Sequence, residues 1–476
     1  MSATDPRLLA ERLPEGFVLG SATAALQIEG GADERGRCGW DEFADRPGAI
    51  EDGSTPARTT DHYHRRAEDV ALMRGAGLDG YRFSISWPRV QPYGRGALDP
   101  KGVDFYDRLV DDLLAKGIRP MATLYHWDTP IALERNGGWK VRETAQRLGD
   151  YARLMGERLG DRVADWVTIN EAATVVMNGY GLGVHAPGEE QLFRAGAVAR
   201  NMVIGHGYAL AGLREAGVKG RVGVTNTHTP CTPATDSKQD RAMAGLLDFI
   251  HNRLFADPVL LGRSPEIPAG LPLALRVLLR SVSRMKRADL ELVSQPIDFY
   301  GLNYYFPSLV AAGADPEGLS PDGQAEAAKD LPFRLLDWPD LPKTAFGWPV
   351  APDGLRRIAE ELAARYGSKL PPVVITEGGA SFDDTVGADG TVDDAPRVSY
   401  LAGHLGVAAD LATGAVPGFD LEGYYIWTML DNWEWAAGFT QRFGLVHVDF
   451  DTLVRTPKAS YGWVRDVQEA RGRAIS

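Results

Sequence analysis

The sequence predicts an α/β fold: a single (β/α)8 TIM barrel with long loops at the C-terminal face. Three observations predict it. Eight short β-rich runs alternate with longer helical segments. Most of the runs are apolar and β-branched, as parallel strands covered on both faces tend to be. And 476 residues provide one such unit with its insertions, since α/β barrels routinely run past the usual domain length. An open doubly wound sheet is the alternative, because strand count alone does not prove closure.

Taken in order, the runs cover 17–23, 80–86, 119–125, 165–170, 221–227, 299–305, 372–377 and 421–430. The helical segments between them show apolar residues at 3–4 spacing. Residues 61–75 carry Tyr63, Ala67, Val70 and Ala71, and 104–116 carry Phe105, Leu109 and Leu113 before the helix-ending Gly117. Segments 143–159 and 354–366 are similar. Neither a short repeat nor an interdomain linker is visible, so 1–476 reads as one catalytic domain with its barrel core at about 16–467. The most irregular stretch, 313–352, is rich in Pro, Gly and Asp and follows the sixth run. It reads either as a loop at the substrate rim or as a solvated insertion.

Composition excludes several classes. The chain has 51 Lys+Arg against 64 Asp+Glu, a net −13, which disfavours a nucleic-acid binder or a basic membrane-surface protein. Hydrophobic content of 44% with 24% charged residues argues against disorder. Cys38 and Cys231 supply neither a disulfide framework nor metal-ligand spacing. The first sixteen residues include Asp5, Arg7, Glu11, Arg12 and Glu15, unlike a signal peptide, and no transmembrane run is present. A soluble protein of a reducing compartment, the cytoplasm, is expected.

In such barrels the chemistry sits at the C-terminal strand ends. There the chain places Gln27, Arg82, His126-Trp127-Asp128, Asn170-Glu171, Asn226 and His228, Asn303 and Tyr305, Glu377, then Trp427 and Asp431-Asn432-Trp433-Glu434-Trp435. Glu171 and Glu377 each close an apolar strand, a costly place for a charge unless it is paired or functional. Glycosidic cleavage needs two carboxyl groups with different tasks, one to protonate the leaving oxygen and one to attack or stabilise the sugar carbon. For either Glu alone, an ion pair with a neighbouring Arg is the simpler explanation. Two of them, surrounded by amides and aromatics, favour chemistry. Trp427, Trp433, Trp435 and Phe443 could fill a core. Their interleaving with Asp431, Asn432 and Glu434 favours a sugar site, where ring faces stack and hydroxyls hydrogen-bond. His126 and His228 raise a metal-site alternative, although no HxH motif follows and His equally serves sugar recognition.

The chain resembles family 1 glycoside hydrolases, the β-glucosidase group, from about Gly16 to Val467. The resemblance is carried by the segment Phe17 to Gly30, by Tyr81-Arg-Phe-Ser-Ile-Ser-Trp87, Leu124-Tyr-His-Trp-Asp128 and Thr168-Ile-Asn-Glu171. It continues through Asp298 to Tyr305, Ile375-Thr-Glu377, Leu430 to Trp435 and Arg442-Phe-Gly-Leu445. It implies Glu171 as acid/base and Glu377 as nucleophile, with Arg82 and Tyr305 touching the nucleophile and Asn303 nearby. Gln27, His126, Asn170, Glu434 and Trp435 are implied to bond sugar hydroxyls, and Trp427 to lie beneath the ring. Glu434-Trp435 resembles the pattern for unphosphorylated sugars. Two positions depart from the family: Ala172 replaces the usual Pro after the acid/base, and Gly378 the usual Asn after the nucleophile. Gly378 is expected to loosen its turn.

The resemblance implies double displacement with net retention and carboxyls about 5–5.5 Å apart. No metal or organic cofactor is called for, and the expected partner is a small-molecule β-glycoside rather than a nucleic acid or a membrane. A catalytically weak or silent sugar-binding barrel, and a transglycosylase, are the rival readings.

Overall fold

A computed structural model describes residues 4–192, 195–313 and 331–475. Eight parallel strands close into a barrel: β1 (Val18–Ala22), β2 (Gly80–Ser84), β3 (Arg119–Tyr125), β4 (Asp165–Asn170), β5 (Arg221–Thr227), β6 (Phe299–Asn303), β7 (Val373–Gly378) and β8 (Leu421–Trp427). Each strand pairs with its sequence neighbours, and β8 closes on β1 through pairs such as Val18 with Gly423 and Ala22 with Trp427. Closure removes the open-sheet alternative.

Alternation along the strands builds two cores. Met121, Val167, Phe299, Val374 and Tyr425 pack inside the barrel. Ala122, Trp166, Tyr300, Val373, Ile375 and Tyr424 face the helical layer, which explains why the strands read as continuous apolar runs. Helix Pro100–Ala115 starts four residues before the predicted 104, because Asp99 accepts from Lys101 N and Gly102 N and Pro100 occupies the first turn. The other three predicted helices occupy His62–Gly75, Arg142–Leu159 and Asp353–Tyr366.

The predicted irregular loop 313–352 needs correcting. Residues 314–330 lie outside the described chain, but Phe333–Leu336 is a strand. It pairs antiparallel with Ser308–Ala312, which in turn pairs with Cys231–Pro233 in a small sheet beside the barrel mouth. The polar composition that surrounds this four-residue strand hides it.

Candidate active site

The two carboxylate-bearing strands share a local feature: a shift in ladder register near their C-terminal ends. On β4 it falls between Val167 and Asn170, and on β7 between Ile375 and Glu377. Strict alternation from Val374, which faces the barrel interior, would send Ile375 and Glu377 to the same outer side. The irregularity turns Glu377 back over the mouth, as such breaks commonly do beside active sites. Glu171 then starts a new turn at φ +49°, and Trp127 (φ +72°) and Trp435 (φ +51°) are also left-handed. Each such non-glycine conformation costs on the order of 1–3 kcal/mol and persists only where its surroundings enforce it.

Both carboxylates are buried, but among different partners. Glu377 Oε1 is ion-paired with Arg82, and its Oε2 accepts from the Tyr305 hydroxyl at 2.8 Å. Arg82 is itself fixed: it donates to Thr123 Oγ1 (3.1 Å), Thr376 O (3.1 Å) and Asn170 Oδ1 (2.7 Å). Burial and the Glu377 charge lift the Tyr305 hydroxyl well above its ordinary range, so it stays a donor.

Around the Glu171 carboxyl both hydrogen-bond partners among the described residues are neutral. Oε1 accepts from Asn303 Nδ2 at 2.7 Å and Oε2 from Thr174 Oγ1 at 2.9 Å. Burial, then the charge of Glu377, pushes this carboxyl up to about 7; the two hydrogen bonds and Arg82 oppose the rise. The sites are linked, because Asn303 Nδ2 also lies 3.2 Å from Asn170 Oδ1, the atom held by Arg82.

A cleft of about 710 Å³ opens above this network. Glu171, Glu377, Tyr305, His126, Trp427, Glu434, Trp435 and Phe443 line it, with Trp127 and His228 from the same predicted rim. Arg82, Asn170, Asn303 and Gln27 lie directly behind that surface, fully buried and bonded to the lining. Gln27 Nε2 donates to Glu434 Oε2 (3.0 Å), Asn432 Oδ1 (3.1 Å) and Trp433 O (3.0 Å). Asn170 Nδ2 meets His126 Nε2 at 3.1 Å. Burial and the nearby Arg82 hold His126 well below its ordinary range, leaving the ring neutral. Burial, with the Glu377 and Glu171 charges, pushes Glu434 up to about 8 against the Gln27 hydrogen bond.

Aromatic rings shape the walls. Trp435 packs 4.5 Å from Trp127 and 6.0 Å from His126, which also faces Trp427 at 6.0 Å. Across the mouth, Trp348 stacks on Phe346 at 4.7 Å and meets Tyr305 at 5.5 Å and Phe443 at 5.9 Å. Trp348 and Thr174 are absent from the predicted set. Trp348 lies inside the irregular stretch, whereas Thr174 was detectable, three residues after Glu171 on the same turn.

Three other expectations change. Trp433 belongs to the core: it is fully buried, edge-on to Trp40 at 5.6 Å, and its Nε1 donates to Ser54 Oγ. Asp431 is structural as well, paired with Lys458 (2.7 Å) and Arg442 (2.8 Å), so it carries no sugar-site argument. Gly378 does not loosen its turn. It ends β7 against Tyr424, whose hydroxyl stands 2.2 Å from where a Cβ would be. His126 and His228 have separate partners, His228 Nε2 meeting Tyr300 OH at 2.8 Å. Among the described residues no group of three His, Cys, Asp or Glu side chains is placed to hold a metal.

Two buried carboxyls over one cleft, one ion-paired to a guanidinium and one raised toward neutral pH by burial, make an arrangement that can supply an attacking group and a proton donor. Comparison with known proteins agrees with that chemistry. The family model described as glycosyl hydrolase family 1 matches residues 9–473. Beta-glucosidase A of Thermotoga maritima is 39% identical over 465 residues, covering 97% of this chain and 99% of the relative. Among solved structures, a psychrophilic beta-glucosidase from Micrococcus antarcticus superposes with a TM-score of 0.88 at 41% identity, covering 98% of this chain and 99% of the other. The Thermotoga maritima beta-glucosidase in complex with glucoimidazole gives a TM-score of 0.87 at 38% identity, covering 96% and 99%. Among the described residues no helix is long and apolar enough to cross a membrane.

Proposed function

This chain belongs to glycosyl hydrolase family 1, and from that premise we propose how its residues work: a retaining β-glucosidase cleaves a terminal, unphosphorylated β-D-glycoside by double displacement. Glu377 attacks the anomeric carbon, and its C–O bond forms as the glycosidic bond breaks. Glu171 gives its proton to the departing oxygen. Glu171, now a carboxylate, takes a proton from water, whose oxygen displaces Glu377 and restores it as a carboxylate. Two inversions leave the β configuration.

The observation that carries the assignment is the asymmetry of partners. Arg82 and Tyr305 favour the charged form of Glu377 by charge-assisted hydrogen bonds, as a nucleophile needs. Burial beside Glu377 keeps Glu171 protonated toward pH 7, as a proton donor needs. When Glu377 becomes an ester its charge is gone, so the Glu171 carboxyl falls and suits its second task. Trp427 offers a face to the ring, while Glu434, Trp435, His126 and Gln27 form the hydroxyl-binding end. Asn170 Nδ2, beside His126, is the donor we assign to the 2-hydroxyl.

One catalytic domain, a small-molecule partner and no nucleic acid complete the reading, supported by the acidic charge balance. Cytoplasmic placement is supported by Cys38 and Cys231, both free thiols. The test is trapping with an activated 2-deoxy-2-fluoro-β-glucoside followed by peptide mapping. The label is expected on the peptide containing Glu377; a label elsewhere, or no adduct at all, overturns the assignment.

A further inference from the structure

The two oxygens of the Glu171 carboxyl are not equivalent, and their partners differ in kind. Oε1 faces Asn303 Nδ2, and the orientation of that amide is fixed because the same nitrogen lies 3.2 Å from Asn170 Oδ1, an atom that must be the acceptor since Arg82 donates to it at 2.7 Å. An amide NH2 donates and does not accept, so a proton on Oε1 would meet another proton. Oε2 faces the Thr174 hydroxyl at 2.9 Å, which can donate to a carboxylate and, by rotating, accept from a carboxylic acid. Thr174 is tied to the same turn, its N–H donating to Glu171 O at 3.1 Å, and its side chain lines the cleft.

We propose that Thr174 is a positioning residue: it confines the transferable proton to Oε2 of Glu171 and stabilises the carboxylate left there when the proton departs. The proposal rests on the acid/base reading of Glu171. The Oε2–H bond breaks as the proton passes to the glycosidic oxygen, releasing the alcohol, and the Thr174 hydroxyl turns to donate to Oε2. In the second half-reaction Oε2 takes a proton from water and Thr174 turns back. Its hydrogen bond opposes the burial-driven rise of the carboxyl, in the direction this role needs.

The test compares T174V, which keeps the shape without the hydroxyl, with T174S, which keeps the hydroxyl, on an unactivated alkyl β-glucoside. For T174V the basic limb of kcat/KM should move up by on the order of one pH unit, the size of a lost charge-assisted hydrogen bond. Its kcat should fall about tenfold with KM little changed, and T174S should restore both. A T174V limb and kcat that match the unsubstituted enzyme, or a T174S that restores neither, overturn the proposal. Should T174V not fold, T174A makes the same comparison, and an unmoved limb is again fatal. Failure of the underlying acid/base reading looks different: E171Q would then yield no β-glucosyl azide on addition of azide, whatever Thr174 does.

Discussion

The ends of β4 and β7 present the same residue type to the same cleft and treat it in opposite ways. Glu377 is met by a guanidinium and a phenol, and Arg82 is braced by three further bonds. Glu171 is met by an amide and an aliphatic hydroxyl, so burial and the neighbouring negative charge dominate. Chemical role therefore resides in what surrounds a glutamate. An immobilised guanidinium and a phenol meet one carboxyl, and around the other neutral donors leave burial and the neighbouring charge to raise it.

Breaking the β7 side should do the most damage. E377Q keeps the shape but removes the attacking group, and kcat should fall on the order of 10⁶-fold, the scale seen when a covalent nucleophile is deleted. Adding azide, measured by product analysis, should not restore the β product. E171Q should cost about 10²–10⁴-fold on substrates with poor leaving groups. Its loss should shrink for the formation of the glycosyl-enzyme from a dinitrophenyl glycoside, and azide should return β-glucosyl azide. If E377Q and E171Q give equal losses across leaving groups, the contrast between the two sites is wrong.

Subtler changes sharpen the contrast. Y305F removes one donor to Glu377, and roughly a tenfold or larger fall in kcat is expected from a lost hydrogen bond to a charged group. In the unsubstituted enzyme, kcat/KM should decline as pH rises through about 7, because Glu171 then loses the proton it must donate. A profile flat from pH 6 to 9 would contradict this. The smallest effect concerns support rather than chemistry. A Cβ on Gly379 would stand 1.7 Å from Trp427 O, so G379A should lower stability by about 1–3 kcal/mol or more, read from denaturant melts.

Much of this was legible in the chain, for identifiable reasons. Strands buried on both faces write themselves as apolar runs, and the residues that end them fall at one rim, so the barrel and both carboxylates could be read directly. What hid was set by contacts rather than by composition. The strand Phe333–Leu336 sits in a polar stretch. Asp431 and Trp433 look like sugar contacts until Lys458, Arg442 and Trp40 arrive from distant parts of the chain. Gly378 reads as freedom, yet Tyr424 fills its space. Sequence also does not show the register breaks near Glu377, which lines the cleft, and Asn170, which lies in the network directly behind it.

The most direct measurement is a titration of Glu171, by ¹³C NMR of side-chain-labelled enzyme, before and after Glu377 is converted to a 2-fluoroglucosyl ester. In the free enzyme the carboxyl should titrate at about 7. Once esterification has neutralised Glu377, the midpoint should drop by a unit or more, on the order expected when a like charge a few ångströms away is removed. A midpoint that stays put or climbs would contradict the account, because the two carboxyls would then not be dividing their labour through each other's charge.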